Sequence, residues 1–238
     1  MYRRRKIPGP KARSMSFYDS VWAIQEWNLD LRQFAIYLTG ETITYGAEDD
    51  WDGRAEPGVE YQMSARLIKN LQILSGLDPK RPILIHMKTN GGDWNEGMAI
   101  YDAIRHTPNP VTILNYTHAR SMSSIILQAA DRRIMMPHST FMFHEGTMGV
   151  SGTWKSVVSA VEFAKGDNEE MLDIYVGRMK ESGKYAKRSK ADIKKMMQGL
   201  MNRKEEVYML AKLTVEWGLA DGIFDGNWDG LRAGLIRR

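Results

Sequence analysis

The chain has 238 residues, 43% of them hydrophobic and 26% charged, a mixture typical of a globular protein with one large domain or two small ones. It contains no cysteine, which excludes disulfides, thiolate metal sites and a cysteine nucleophile. The net charge is +4. The chain has no run of about eighteen apolar residues, so the sequence predicts no membrane span.

Residues 1–14 are basic, and no apolar segment typical of a secretory signal follows them. We expect a flexible arm, with an accessory role in tethering nucleic acid or an acidic partner as the alternative. The rest of the chain has no basic stripe interleaved with aromatic residues, so we expect neither a nucleic-acid-binding surface nor a membrane contact. The absence of cysteine fits a reducing compartment, and we expect a cytoplasmic protein.

The apolar patterns then predict strands that alternate with helices. Strands are expected at 34–40, 81–89, 110–118, 132–139 and 140–145. Helices are expected within 15–33 and at 59–77, 97–107, 121–130, 153–182 and from Lys190 onward, with an acidic loop at 48–58 and a glycine turn at 90–97. This alternation predicts an α/β fold with a largely parallel sheet, and residues 15–238 read as a single domain.

The segment HARSMSSIIL, residues 118–127, places three serines between a strand pattern and a helix pattern. In parallel α/β folds, reactive groups gather where strands end and helix N-termini point inward. Ser121 lies at such a place, where free backbone N–H groups can stabilise negative charge. Its position suits either a helix cap or a nucleophile for acyl transfer.

Two other features follow neighbouring predicted strands. Asn90-Gly91-Gly92 ends the strand 81–89, and its glycines allow a close approach of the backbone. His144 follows the strand TFMF, where an imidazole can be a general base for a serine hydroxyl or an ordinary surface residue. The histidines show no spacing typical of a metal site, and we expect no metal or cofactor.

Four segments, in this order, resemble the Clp protease proteolytic subunit (ClpP) family, peptidase family S14. They are MKTNGGDWNEGMAIYDAI (87–104), ARSMSS (119–124), MMPHSTFMFHEG (135–146) and VEWGLADGI (215–223). The resemblance spans about residues 34–225. It implies a ClpP/crotonase-like spiral of ββα units, with a protruding strand–helix handle at about 146–180.

The resemblance also implies a catalytic site. Ser121 would attack a peptide carbonyl, and His144 would take its proton and deliver it to the leaving amine. The backbone N–H groups of Gly92 and Met122 would form the oxyanion hole. Glu206 would be the acid that orients the histidine, where the family has aspartate, and Glu205 would replace it if the register slipped by one.

Several positions depart from the family pattern and favour a divergent member, of the kind encoded by phages. Asn90 stands where the family has proline, and Gly146, after Glu145, where it has the proline that follows the histidine. Ser123 and Ser124 replace small residues behind the nucleophile. His86 and His106 stand where the family lines its unfoldase-docking pocket with aromatic residues.

The function implied is a serine endopeptidase subunit that hydrolyses unfolded polypeptides delivered by an ATP-dependent unfoldase, with ATP acting only through that partner. The resemblance also implies a homo-oligomer of heptameric rings stacked into a tetradecamer, joined by the handles. The alternatives are a non-catalytic structural paralogue in a mixed ring, a phage protease that processes capsid proteins, and a crotonase-type acyl-CoA enzyme.

Overall fold

The structure is a computed structural model, and it describes residues 16–39 and 58–234. The described residues form eight helices and eight strands. The strands are β1 (Leu29–Asp30), β2 (Ala35–Thr39), β3 (Ile83–Thr89), β4 (Val111–Arg120), β5 (Arg132–Met135), β6 (Thr140–Phe143), β7 (Val207–Leu210) and β8 (Gly222–Ile223). The helices are α1 (Phe17–Trp27), α2 (Tyr61–Leu77), α3 (Trp94–His106), α4 (Met122–Ala129), α5 (Trp154–Glu181), α6 (Lys190–Lys204), α7 (Ala211–Trp217) and α8 (Trp228–Arg232).

The eight strands form one sheet in the order β1-β2-β3-β4-β5-β8, and β6 joins it by pairing with β4 and with β7. The β1–β2 and β6–β7 pairs are antiparallel and the other pairs are parallel, so the predicted largely parallel α/β architecture is confirmed. The apolar run of β3 is buried on both faces, as expected for a strand covered by helices.

The main hydrophobic core lies between one face of the sheet and the helices α2 to α6. A smaller cluster covers the other face, where Leu231 of α8 packs with Leu84, Leu114 and Ile134. Because the sheet is covered on both faces, the ends of its strands are where side chains reach solvent. The carboxyl ends of β3, β4 and β6 meet at one edge.

The ten-residue strand β4 positions this edge. Its first half pairs with β3 and β5, and its last three residues, from His118 to Arg120, pair in parallel with β6. As parallel strands end on the same side of a sheet, the residues that follow β4 and β6 become neighbours. Ser121 and His144 are those residues.

Most predicted elements are confirmed within a few residues, and the differences lie at the start of α3, in several short elements and after His144. Helix α3 begins at Trp94 rather than at 97, because the Asp93 carboxylate accepts a hydrogen bond from the Glu96 N–H at 3.0 Å and caps it. The short strands β1, β7 and β8 and the short helices α7 and α8 were not expected. Residues 144–152 contain no regular strand, since no other described segment pairs with them.

The basic arm predicted for residues 1–14 and nearly all of the acidic loop at 48–58 lie outside the described residues. The single domain at 15–238 stays a prediction. Among the helices in the described ranges, none combines the length and the apolar character that crossing a membrane requires.

Candidate active site

Ser121 occupies a strained turn between β4 and α4. Its backbone has φ 50° and ψ −129°, a combination that a residue with a side chain rarely adopts. Such a conformation costs about 1 to 3 kcal/mol and persists only where the surrounding structure enforces it. The Ser121 side chain makes no capping hydrogen bond to α4, which removes the helix-cap interpretation. A serine on a strained strand-to-helix turn is the geometry of a nucleophile elbow.

The next two serines hold this turn. Oγ of Ser123 accepts a hydrogen bond from the Arg120 N–H at 2.9 Å and lies 2.7 Å from the Arg120 carbonyl oxygen and 3.0 Å from that of Thr89. The Ser124 hydroxyl lies 2.6 Å from the Ser121 carbonyl oxygen. Both side chains are fully buried. Ser123 and Ser124 therefore stabilise the backbone around Ser121 through hydrogen bonds.

A glycine turn lies against the elbow. Gly91 and Gly92 have φ values of 104° and 151°, which favour glycine. A Cβ atom on Gly91 would lie 2.6 Å from the Arg120 carbonyl oxygen and 2.9 Å from the Met122 nitrogen, and one on Gly92 would collide with the backbone of Val59. Gly91 thus lets the segment after β3 pack directly on the residues that flank Ser121, and Gly92 lets it pack on Val59.

His144 reaches the serine from the neighbouring strand. Its Nε2 lies 2.8 Å from Oγ of Ser121. The Ser121 N–H donates to the Met142 carbonyl at 3.0 Å, which fixes the elbow to the strand that carries the histidine. The structure thus brings together two predicted site residues that are 23 positions apart in the chain. This distance suits proton transfer from the hydroxyl to the imidazole.

The predicted oxyanion donors lie beside this pair. Gly92 and Met122 both line the groove that contains Ser121 and His144. Within residues 16–39 and 58–234, the N–H groups of Gly92 and Met122 donate no hydrogen bond. Met122 is the first residue of α4, so its N–H belongs to the unpaired group at a helix N-terminus. Backbone donors in this position can stabilise a developing oxyanion.

Glu206 directly precedes β7 as His144 directly follows β6, but its carboxylate is engaged elsewhere. The β6–β7 pairing ends with Phe143 opposite Val207, so His144 and Glu206 are the next residues beyond the end of the strand pair. The Glu206 carboxylate accepts a hydrogen bond of 2.5 Å from the Tyr208 hydroxyl, which raises the pKa of that hydroxyl. Among the described residues, no carboxylate is hydrogen-bonded to His144.

Glu205 lines a second cavity, beside His144, and its backbone is strained. Its φ of 59° and ψ of −64° form a tight turn, in which the Glu206 N–H donates to the Lys204 carbonyl at 2.7 Å. This turn links α6 to β7 and sets where the two glutamates stand. Sequence reasoning missed both the turn and Tyr208, because no local motif marks either of them.

The groove has a volume of about 1180 Å³ and runs past Ser121 between the glycine turn and α5. Apolar side chains that line it include Ile125, Phe163 and Met171, and carboxylates include Asp93 and Asp167. Burial raises the pKa of the Asp167 carboxyl. A concave surface of this size and mixed character suits an extended peptide.

The other histidines lie outside this site. His86 stacks on Tyr37 with ring centroids 4.6 Å apart and is hydrogen-bonded to the Tyr116 hydroxyl at 2.9 Å, and burial lowers the pKa of its imidazole to about 4. His106 donates from Nδ1 to the Asp102 carbonyl. In the part of the chain that the structure describes, no three metal-ligating side chains are grouped as a metal site requires.

The comparison with protein families agrees with this geometry. The family described as Clp protease matches residues 55–227, most of the chain, and the chain therefore belongs to the Clp protease family. The fold class and the family predicted from the sequence are confirmed. The members of this family are serine peptidases in general, which is the class of enzyme that the elbow and the histidine suggest.

Three curated relatives show the level of similarity. The chain is 29% identical to ATP-dependent Clp protease proteolytic subunit 2 of Treponema denticola over 72% of its own length and 80% of that protein. It is 33% identical to the ATP-dependent Clp protease proteolytic subunit of Deinococcus radiodurans over 49% of its own length and 58% of that protein. It is 30% identical to ATP-dependent Clp protease proteolytic subunit 3 of Rhodococcus jostii over 61% of its own length and 66% of that protein. These identities fit a divergent member.

Proposed function

We propose that this protein is a serine endopeptidase subunit of the Clp type, with Ser121 as nucleophile and His144 as general base. The observation that carries the proposal is the 2.8 Å contact between Oγ of Ser121 and Nε2 of His144 on a strained elbow. An ordinary surface serine has no need of an enforced backbone conformation or of an aligned imidazole.

The chemistry follows from the positions of these groups. Oγ of Ser121 attacks the carbonyl carbon of the peptide bond while Nε2 of neutral His144 takes the hydroxyl proton. The carbonyl oxygen becomes an oxyanion that the N–H groups of Gly92 and Met122 stabilise. His144 then gives its proton to the leaving amine, and a water activated by the same imidazole hydrolyses the acyl-enzyme.

Glu206 is the acid that we assign to Nδ1 of His144. Its support is its place one residue beyond the last β6–β7 pair, as His144 is on the other strand. Its hydrogen bond to Tyr208 requires a rotation of the side chain before it can act. A carboxylate at Nδ1 holds the tautomer that leaves Nε2 free to accept a proton. The state with Glu206 on Tyr208 is then a resting state of the subunit.

The groove supports unfolded polypeptide as the substrate, since an extended chain can lie along it past Ser121. The curated relatives are named ATP-dependent, and by analogy an ATP-driven unfoldase would deliver the substrate, so that this chain itself binds no nucleotide. Assembly into stacked heptameric rings, a tetradecamer joined by the segment 146–180, belongs to the same proposal. The helix α5 exposes Trp154 and Phe163, which suit such contacts.

The test is covalent labelling with a fluorophosphonate, followed by intact mass and peptide mapping. We expect one adduct on Ser121 in the wild type, none in Ser121→Ala, and at least a 100-fold slower adduct in His144→Ala. Ser16→Ala, which changes an exposed serine at the start of α1, is the control and should label at the wild-type rate. A folded wild type that forms no adduct on Ser121 contradicts the proposal.

A second candidate is a subunit that does not catalyse and only completes a mixed ring. The hydrogen bond that keeps Glu206 on Tyr208 favours it, because His144 then lacks an orienting acid. The labelling experiment separates the two, since a non-catalytic subunit assembles but does not react.

A further inference from the structure

Helix α5 holds the helix behind the nucleophile at both of its ends. At the first turn of α4, the Tyr175 hydroxyl lies 2.6 Å from Oγ of Ser124. At the last turn, the Arg178 guanidinium donates from Nε to the Gln128 carbonyl and from Nη2 to the Ala130 carbonyl, each at 2.9 Å. Tyr175 and Arg178 are one turn apart on α5, so a single face of this helix spans the length of α4.

The direction of the hydrogen bonds near Ser121 follows from counting protons. The Ser124 hydroxyl has one proton, and the Ser121 carbonyl oxygen at 2.6 Å can only accept it. The Tyr175 hydroxyl must therefore donate to Oγ of Ser124. Burial raises the pKa of Tyr175, which keeps that hydroxyl protonated. A chain of two hydrogen bonds thus runs from α5 through Ser124 to the backbone carbonyl of the nucleophile.

We propose that Tyr175 is a positioning residue that fixes the carbonyl of Ser121, and with it the angle at which Oγ meets His144. The proposal rests on the proposed function, because it concerns the reactivity of Ser121. The helix that lines the groove thereby also sets the geometry of the elbow.

The same helix connects this brace to the substrate groove. Met171 lies one turn before Tyr175 and lines the groove, as does Phe163, nearer the start of α5. A peptide that binds against α5 therefore contacts the element that holds Ser121 in place. Because the elbow is strained, loss of the brace lets Ser121 relax toward an ordinary backbone conformation.

The ring of Tyr175 and its hydroxyl can be separated experimentally. The ring packs against Phe141 and Phe143 with centroids 5.9 and 6.0 Å away, contacts that phenylalanine retains. Tyr175→Phe therefore deletes the hydrogen bond and keeps the packing. Tyr185→Phe is the matched control, since its ring packs edge-on against Trp217.

The readout is the second-order rate constant for fluorophosphonate labelling of Ser121 in the full chain, measured from pH 6 to 9. We expect Tyr175→Phe to lower this constant about tenfold at every pH, as the loss of one aligned hydrogen bond allows. Tyr185→Phe should react like the wild type. Circular dichroism at the labelling temperature verifies that each variant is folded.

Ser124→Ala and the double variant Ser124→Ala with Tyr175→Phe complete a cycle. Removing both hydroxyls leaves no unpaired buried donor, so the double variant is a second folded probe if a single variant is unstable. Because the two residues act in series, the double variant should be no slower than Ser124→Ala.

Three results are decisive. Slower labelling of Tyr175→Phe together with a non-additive cycle supports the proposal. Labelling of Tyr175→Phe at the wild-type rate, or a double variant slowed by the product of the two single effects, overturns it. A wild type that is not labelled on Ser121 contradicts the proposed function instead.

Discussion

The hydroxyl of Tyr208, on β7, donates a 2.5 Å hydrogen bond to the carboxylate of Glu206, the residue before that strand. The guanidinium of Arg120, the residue before Ser121, lies over the ring of the same tyrosine at 5.4 Å. Tyr208 thus sits between the assigned acid and the elbow. In the proposed mechanism, its phenol competes with the imidazole of His144 for the carboxylate.

Tyr208→Phe should free Glu206 for His144. We expect kcat/KM for a peptide substrate to rise several-fold, because the competing donor is removed while the ring remains over Arg120.

Glu206→Gln should lower kcat/KM about 100-fold or more, since an amide cannot hold the imidazole tautomer in the same way. If Glu205→Gln lowers kcat/KM by this amount and Glu206→Gln leaves it unchanged, the acid is Glu205 and not Glu206.

The glycine turn should not tolerate a side chain. Gly91→Ala places a methyl group against the Arg120 carbonyl and the Met122 nitrogen, so we expect labelling of Ser121 to fall at least about 100-fold, as for the loss of an oxyanion donor. Gly76→Ala in α2 is the control, as nothing lies within 4 Å of its Cβ position. That change should stabilise the protein by about 0.5 to 1 kcal/mol.

The buried His86 should make stability depend on pH. Its pKa of about 4, caused first by burial and then by the charge of Arg232, lies below the value of about 6.5 expected in the unfolded chain. The folded state therefore binds fewer protons between these values. The contribution of His86 is complete above about pH 6.5 and is lost as the pH falls toward 4.

For the wild type we expect the free energy of unfolding to drop by about 2 kcal/mol more between pH 7.5 and pH 5 than for His86→Phe. Phenylalanine retains the stacking on Tyr37 but cannot take up a proton. Urea unfolding at one fixed protein concentration measures both. Identical pH dependence in the two proteins would mean that His86 does not cause the loss.

The closing segment VEWGLADGI carries a structural ion pair. Arg133 is 2% exposed, and its Nη2 lies 2.6 Å from Oδ1 of Asp221. Asp221→Ala leaves the buried guanidinium without its carboxylate, and we expect a loss of about 3 to 5 kcal/mol in urea unfolding. The exposed pair of Asp229 and Arg232, 3.6 Å apart, is the comparison, and Asp229→Ala should cost less than about 1 kcal/mol.

The local sequence pattern predicted most of the longer helices and strands. The apolar run of β3 and the helical spacing of α2 predicted their elements closely, because burial on two faces or on one leaves a direct periodic signal. The short strand β7 gave no such signal. It forms because β6 offers it a partner, and a strand of four residues depends on its neighbour.

The contiguous motifs were enough to predict the family, the order of the longer central elements and the two residues that meet, Ser121 and His144. The surroundings of these two residues came from packing: the strained φ of Ser121, the hydroxyl that donates to Glu206, and the brace from Tyr175, 51 positions from Ser124. Contacts between distant residues depend on how helices and strands pack, and a hydroxyl or carboxylate pairs with whatever donor or acceptor the fold brings within about 3 Å.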